Sequence, residues 1–177
     1  MKPVHLTLFM NNYDIQEVHC HKHLGIYFSK DGMWYDHINY IVKKAYNKIN
    51  ILRKFRLCLD RHVLEKIYLS FIRPLLEYGD VIWDNTNKSL VNKIENVQIE
   101  AMRIVTGGTK LTSIEKLYKE TGWESLSDRR ETHKLVLFYK MINFETPDYL
   151  RELVPSSIGN THTHYTRQSQ NIIEVGT

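Results

Sequence analysis

The amino-acid sequence predicts a mainly α fold of the α+β class, in which a small N-terminal antiparallel β element precedes a helical bundle. Apolar and polar residues alternate within the first thirty residues, which is the period of a half-buried strand. From about residue 35 the apolar residues recur every three or four positions, as in an amphipathic helix. The 177 residues are 42% hydrophobic and 25% charged, which is typical of one globular domain or one and a half small ones.

The β element is predicted from three short segments. VHLTLF and IQEVH both alternate, and the turn-like NNYD between them indicates a hairpin. LGIYFS follows as a third strand. Lys30, Asp31 and Gly32 then form a turn signal, with Gly at a position that favours a positive φ.

The first helix is predicted to be amphipathic, with an apolar face and a polar, basic face. Its apolar stripe consists of Ile38, Ile41, Val42, Ala45, Ile49 and Leu52. The opposite face carries Tyr40, Lys43, Asn47, Asn50 and Lys54, with Lys44 at its edge.

Two further helices are predicted from capping and stop signals. Asp60 is the expected N-cap of the second helix, which Pro74 should kink or end. Gly79 closes this region, and the β-branched residues after it favour an extended stretch. The third helix should run from about Asn87 to Val105 and stop at the glycine pair that follows.

The C-terminal part is predicted to contain three shorter helical segments. Thr112 and Glu115 have capping-box spacing and open a helix that Gly122 closes. A weaker start at Ser125 leads into KLVLFYKMI, which is apolar on nearly every side and is predicted to be the central buried helix. A last helical turn begins at Pro147, and the chain becomes polar and weakly patterned beyond residue 155.

Positive charge is concentrated in the first helix. Residues 35–57 contain six Lys and Arg against Asp36 alone, a net +5, whereas the whole chain carries only +4. Lysine and asparagine side chains on one solvent face are the mixture that contacts a phosphate backbone, and an ordinary solvated helix face is the open alternative. The tyrosines mostly fall on apolar stripes, which favours a role in the core over a base-stacking platform.

Catalytic motifs are sparse. The only carboxylates that suggest a two-metal nuclease are Glu77, Asp80 and Asp84, and roles as caps or turn residues explain them better. No glycine-rich phosphate loop is present, because Gly107 and Gly108 follow a helix instead of opening one. No catalytic residues are predicted.

Metal binding and secretion are also not predicted. His19, His21 and His23 would share one face of a strand, where Cys58 and His62 could complete a zinc or copper site, but a solvent-facing strand edge is the preferred interpretation. Two cysteines and no evident signal sequence favour a reducing compartment. No apolar run reaches the ~18 residues that a membrane span requires.

Several segments resemble one protein family, the reverse transcriptases of non-LTR (LINE-like, jockey-type) retrotransposons. The resemblance extends from about Val18 to Pro155, and the combination of motifs is more specific than any one of them. The matching segments are HKHLGIYFSKDGMWYDHI, KAYNKINILRKFR, YLSFIRPLLEYGDVIWD, KIENVQIEAMRIVTG, LYKETGWESLSDRRETHKLVLFYKMIN and TPDYLRELVP.

The resemblance implies a domain plan without a catalytic centre. It assigns residues 1–33 to a residual palm and primer-grip β element, 34–106 to thumb-like helices, 107–155 to connector helices and 156–177 to an irregular tail. Leu24, Gly25 and Ile26 fall in the primer grip. The family's catalytic Asp residues lie upstream of these motifs, so the chain is expected to be a truncated fragment without polymerase activity. Magnesium would be needed only by the missing palm, and no cofactor is expected.

The predicted function is therefore binding of a template–primer duplex, either RNA–DNA or DNA, by a thumb module that is catalytically inert alone. A palm-containing polymerase segment is a further candidate partner, whereas no membrane and no small-molecule substrate are expected. By resemblance the location is intracellular, nuclear or cytoplasmic. The alternative is a degenerate transposon remnant or a small protein-interaction domain. The predicted nucleic-acid-binding residues are Lys43, Lys44, Asn47, Lys48, Asn50, Arg53 and Lys54.

Overall fold

Two antiparallel hairpins followed by helices form residues 8–155, the part of the chain that the computed structural model describes. This architecture confirms the predicted mainly α fold with an N-terminal β element. The chain divides into two compact units after Ser127. The first unit contains strands β1 (Leu8–Met10), β2 (Tyr13–Ile15), β3 (Cys20–His23) and β4 (Ile26–Ser29). Its helices are α1 (Tyr35–Phe55), α2 (Arg61–Ile67), a π-helical turn (Tyr68–Ile72), α3 (Arg73–Glu77), α4 (Asp80–Trp83), α5 (Lys88–Thr106) and α6 (Ile114–Thr121).

The first hairpin is shorter than the sequence indicates. Asn11 and Asn12, with φ of +50° and +65°, form the two-residue turn, as expected for a tight hairpin. Tyr13 and Asp14 belong to β2 and not to the turn, so the predicted four-residue turn is wrong. Residues 4–7 of the first predicted strand lie outside the described residues.

The second hairpin contains the histidine-rich segment and the predicted third strand. Leu24 (φ +46°) and Gly25 (φ +88°) form its turn, so the strand predicted from LGIYFS begins only at Ile26. The predicted turn after β4 is present, because the Gly32 amide donates to the Ser29 carbonyl over 3.0 Å. The Ser29 hydroxyl donates to Asp36 over 2.9 Å and thereby fastens β4 to the first turn of α1.

Helix α1 forms as the periodicity predicts. Its apolar stripe is buried, apart from Val42, which is half-buried against the core. Helix α5 and the segment from α2 to α3 pack on this stripe. The main core consists of Ile38, Ile41, Ala45, Ile49, Leu52, Leu64, Tyr68, Ile72, Leu76, Trp83, Leu90, Ile94, Val97, Ala101, Ile104, Val105 and Leu126.

A π-helical turn carries the second helical segment past Pro74. The Arg73 amide donates to the carbonyl of Tyr68, five residues earlier, instead of to the residue four positions back. This wider turn absorbs the missing N–H group and the ring of the proline, which a regular α-helix would not tolerate. The N-cap prediction is correct, because the Asp60 side chain accepts from the Val63 amide over 3.0 Å.

The stretch after Gly79 is helical, so the predicted extended conformation is wrong. Gly79 has φ +64° and turns the chain directly into α4. Trp83 is fully buried, and its Nε1 donates to the Tyr78 carbonyl over 2.9 Å. Burial of this indole over a single helical turn outweighs the weak strand preference of Val81 and Ile82.

The ends of α5 and α6 follow the predicted signals closely. Asn87 caps α5 through the Leu90 amide at 3.0 Å, and Gly107 ends it with φ +75°. Helix α6 ends at Gly122 as expected, but its N-cap is Ser113 and not Thr112, the residue with capping-box spacing. The Thr112 hydroxyl instead accepts from the Thr109 amide over 3.0 Å.

A buried polar bridge joins the π-helical turn to α5. The Tyr68 hydroxyl donates to Gln98 Oε1 over 2.8 Å, and Gln98 Nε2 donates to the Glu124 carbonyl over 2.8 Å. The Tyr68 ring stacks on Trp123 with centroids 4.5 Å apart. Burial raises the pKa of Tyr68 well above its ordinary value, so the phenol stays neutral and donates its proton to the bridge.

The second unit, described over residues 128–155, contains most of α7 (Leu126–Ile142) and all of α8 (Asp148–Arg151). The prediction that α7 is the central buried helix is wrong, since Leu135 and Tyr139 are each 63% exposed. An all-round apolar sequence is buried only where other elements surround it, and α1 and α5 hold the central positions instead. Helix α8 begins after Pro147 as predicted.

The expectation that the tyrosines belong mainly to the core is only partly correct. Within residues 8–155 Tyr68 is the sole fully buried tyrosine, whereas Tyr13 and Tyr149 are 78% and 67% exposed. No helix in this part of the chain is both long enough and apolar enough to cross a bilayer.

His37 is a buried histidine between two tryptophans. Its ring centroid lies 6.4 Å from that of Trp34 and 5.8 Å from that of Trp83. The Tyr27 amide donates to its Nδ1 over 3.4 Å, which couples β4 to α1. Burial lowers the pKa of His37, so the imidazole is neutral in the folded protein.

We expect Gly79→Ala to destabilise the protein by about 1 kcal/mol more than Gly122→Ala. Both glycines have similar φ, +64° and +67°, so both variants carry the same left-handed strain. A Cβ at position 79 would lie 2.8 Å from Ile26 Cδ1, whereas one at position 122 would meet nothing within 4 Å. Urea unfolding of both variants measures the difference. Ile26→Val removes Cδ1 and should recover part of the Gly79→Ala loss, and equal losses in the two glycine variants would contradict this contact.

The free energy of unfolding should fall as the pH drops below about 6.5, the ordinary pKa of histidine, because His37 has a lowered pKa in the folded state. In that range the unfolded chain takes up a proton that the folded chain does not, at a cost of at most about 1.4 kcal/mol per pH unit. His37→Gln keeps an acceptor for the Tyr27 amide and removes this titration. Urea unfolding between pH 7.5 and 5 should show a shallower pH dependence in this variant than in the exposed control His62→Gln. An unchanged dependence would exclude His37 as the source.

Candidate nucleic-acid interface

The outer face of α1 presents a line of polar and basic side chains to solvent. Lys43, Asn47, Asn50 and Lys54 are exposed and lie on the side opposite the buried stripe. This arrangement follows from the helical period, because positions three or four residues apart share a face. Lys43 and Lys54 are separated by about 16 Å along the helix axis at a rise of 1.5 Å per residue.

Lys44 and Lys48 lie on the flank of α1 that faces β3 and the π-helical turn. The Lys44 Nζ lies 4.5 Å from the centroid of the Tyr40 ring. The Lys48 Nζ lies 5.8 Å from the centroid of the Phe71 ring. Both ammonium groups remain exposed, so the aromatic rings orient them without taking them out of water.

Tyr40 is the centre of a mixed basic and aromatic patch that joins α1 to the second hairpin. Lys22 donates to the Tyr40 hydroxyl over 3.1 Å, and its Nζ lies 5.4 Å from the Tyr27 ring centroid. The hydrogen bond from Lys44 and then that from Lys22 lower the pKa of Tyr40. The bond to Tyr40 raises the pKa of Lys22. Sequence reasoning missed Lys22, although its alternation with His21 and His23 in β3 placed it on the other face of that strand.

Four exposed lysines of α1 carry charge that no carboxylate of residues 8–155 neutralises. In the described part of the chain, no carboxylate lies within 4.0 Å of the ammonium groups of Lys43, Lys44, Lys48 and Lys54. Asp36, the only acidic residue of α1, accepts from Ser29 and lies 3.8 Å from His19 at the start of the helix. The exposed side of α1 therefore carries four positive charges without a nearby carboxylate, an arrangement that attracts a polyanion.

Arg53 does not share this face. Its Nη2 lies 3.2 Å from Glu100 Oε2 on α5, and its Nη1 donates to Asn50 Oδ1 over 3.0 Å. Arg53 thus turns toward the cleft between α1 and α5, while the six other predicted nucleic-acid-binding residues lie on the outer face or the flank by Tyr40.

The predicted primer-grip residues lie at the tip of the second hairpin. The Tyr78 hydroxyl donates to the Leu24 carbonyl over 2.8 Å, and Ile26 is buried beside Gly79. Leu24 itself is 76% exposed. The tip is therefore anchored through its backbone and Ile26, which leaves the Leu24 side chain free for contact.

The carboxylates considered for a nuclease occupy structural positions. Asp80 is 4% exposed and begins α4, and Glu77 lies 3.8 Å from Arg73 Nε. Within residues 8–155, no three His, Cys, Asp or Glu side chains are arranged so that they could hold a metal ion. This holds also for the histidines of the second hairpin, where the His21 and His23 rings stack on each other with centroids 6.4 Å apart.

Comparison with known proteins adds no constraint on this surface. No protein-family model, no curated protein and no solved structure matches the chain.

Proposed function

We propose that this chain is the thumb region of a non-LTR retrotransposon reverse transcriptase, an RNA-directed DNA polymerase, and that it binds a template–primer duplex. The motif resemblance motivates the family. The observation that carries the binding function is the exposed surface of Lys43, Lys44, Lys48 and Lys54, which has no neutralising carboxylate in the described chain. We assign no catalytic step to this chain, because the resemblance places the family's catalytic Asp residues upstream of these motifs.

The binding mode we propose is contact with the phosphate backbone and not with base edges. Lysine ammonium groups along about 16 Å of helix can follow successive phosphates of one strand. Asn47 and Asn50 lie between the lysines and offer amide donors to phosphate or sugar oxygens. Contacts of this kind fix register and orientation but carry little sequence information, so we expect a preference for duplex shape.

The patch around Tyr40 supports an extension of the same surface onto the second hairpin. Lys22 adds a further ammonium group next to Lys44, and the phenol holds both in place. An intracellular location, nuclear or cytoplasmic, and an association with a palm-containing polymerase segment belong to the same proposal and rest on the resemblance.

Binding of a short RNA–DNA primer–template should weaken steeply with salt in the wild-type chain, as measured by fluorescence anisotropy from 50 to 200 mM salt. Replacement of Lys43, Lys44, Lys48 and Lys54 by Ala should lower the affinity by about tenfold or more at low salt. It should also reduce the log–log salt slope by up to about 3.6, because each of the four phosphate contacts contributes about 0.7–0.9 to that slope.

The matched control removes the same charge from other exposed lysines of the first unit. Lys66, Lys88, Lys116 and Lys119 are exposed and lie on α2, α5 and α6. Their replacement by Ala should leave most of the affinity and slope intact. If the two quadruple variants lose affinity equally, binding reflects net charge alone and the proposed interface is wrong.

A second candidate function, a small protein-interaction domain or a degenerate remnant, is favoured by the first hairpin. Leu8, Phe9 and Met10 are 63%, 67% and 66% exposed, and β1 pairs only with β2 among the described strands. An apolar strand with an open edge is a site for strand addition or self-association.

Light scattering with size-exclusion chromatography tests this candidate. If the first hairpin drives association, the wild-type chain should elute above its monomer mass of 21.1 kDa. Replacement of Phe9 by Lys, which places a charge on the strand without touching α1, should then restore the monomer. A wild-type chain that is monomeric at all tested concentrations would contradict this candidate.

A further inference from the structure

A cleft between α1 and α5 has the composition of an anion site. It is an open groove of about 550 Å³ lined by residues of both helices and by Lys110 from the loop after α5. A second cavity of about 260 Å³ adjoins it and shares Arg53, Glu100, Arg103 and Lys110. The pair lies on the flank of α1 opposite Tyr40, as the contact between Arg53 and α5 shows.

The cleft carries excess positive charge. Four basic side chains line it, namely Arg53, Arg56, Arg103 and Lys110, and Glu100 is the one carboxylate among the lining residues. The net charge of +3 favours a negatively charged ligand.

The arginine side chains are held in place by acceptors of the protein. Glu100 accepts from Arg53 Nη2 at 3.2 Å and from Arg103 Nη1 at 2.6 Å, so its two oxygens orient two guanidinium groups. Arg56 Nη2 donates to the Gly107 carbonyl over 3.3 Å. This contact fixes Arg56 beside the C-terminal end of α5.

Donors remain available after these contacts. A guanidinium group offers five N–H donors, and each arginine here uses one or two of them within the described chain. Lys110 takes part in no hydrogen bond or ion pair there and is free to reach into the cavity. The site can therefore satisfy an anion with several acceptor oxygens.

We propose that this cleft binds phosphate groups, with Arg53 and Arg103 as the fixed donors and Arg56 and Lys110 as the closing cations. Arginine pairs recognise phosphate through planar, two-point hydrogen bonding. The groove, at about 550 Å³, is open to solvent, so it has room for the phosphates of a free compound such as pyrophosphate or a nucleotide and equally for a phosphate of a nucleic-acid backbone. This proposal does not depend on the outer face of α1 binding a duplex.

Isothermal titration calorimetry of the full chain with pyrophosphate, with ADP, and with the RNA–DNA primer–template tests the site. The double variant Arg103→Gln/Lys110→Gln should weaken binding of at least one of these probes by about tenfold or more, because charge-assisted hydrogen bonds are lost. Arg56→Gln/Lys110→Gln changes only exposed side chains and provides the same test if Arg103 proves necessary for folding.

The control variant Lys66→Gln/Lys88→Gln removes two charges from exposed lysines of α2 and α5 that lie outside both the cleft and the outer face of α1, and it should leave binding of all three probes nearly unchanged. Loss of pyrophosphate or ADP binding only in the cleft variants supports a site for a free phosphate compound. If the cleft variants weaken binding of the primer–template but not of pyrophosphate or ADP, the result supports a site for a backbone phosphate. The proposal is overturned if no probe binds saturably, or if the cleft and control variants behave alike.

Discussion

The packing of the apolar stripe of α1 against α5 is the constraint on which the remaining structure depends. Ile38, Ala45 and Ile49 are fully buried, so α1 cannot rotate about its axis without exposing a core residue. Because the helix is fixed in this way, every other side chain of α1 has a determined direction. The line from Lys43 to Lys54 faces solvent, Lys44 and Lys48 face the aromatic rings on one flank, and Arg53 faces α5 on the other.

The two flanks of α1 differ in how they hold positive charge. Beside Tyr40, aromatic rings orient the ammonium groups and leave their charge uncompensated. In the cleft, Glu100 neutralises one charge and fixes two arginines at the same time. Exposed lysines that no carboxylate holds in place suit contact with the many phosphates of a polyanion. A fixed set of arginine donors instead suits a single phosphate group. One helix can thus support both proposed sites, with Asn50 at the border between them.

Local signals predicted most of the helix ends because they act over one turn of backbone. Asp60 and Asn87 cap their helices through amides three residues ahead, and Gly107 and Gly122 adopt left-handed conformations at the helix ends. The same local reasoning failed for α4, where burial of Trp83 in the core decided the conformation. It also failed for α7, because an apolar composition does not specify whether neighbouring elements are present to cover it.

The sequence by itself determined the mainly α class, the apolar stripe and basic outer face of α1, and the boundaries of α5, since each depends on the period of one helix or on a cap within a few residues. Only the tertiary structure decided that Arg53 joins Glu100, Arg103 and Lys110, and that Lys22 joins Tyr40 and Lys44. Lys22 and Tyr40 are 18 residues apart in the sequence, and Arg53 and Glu100 are 47 residues apart. Whether these residues come together depends on how the elements pack, and no pattern within a single element specifies that packing.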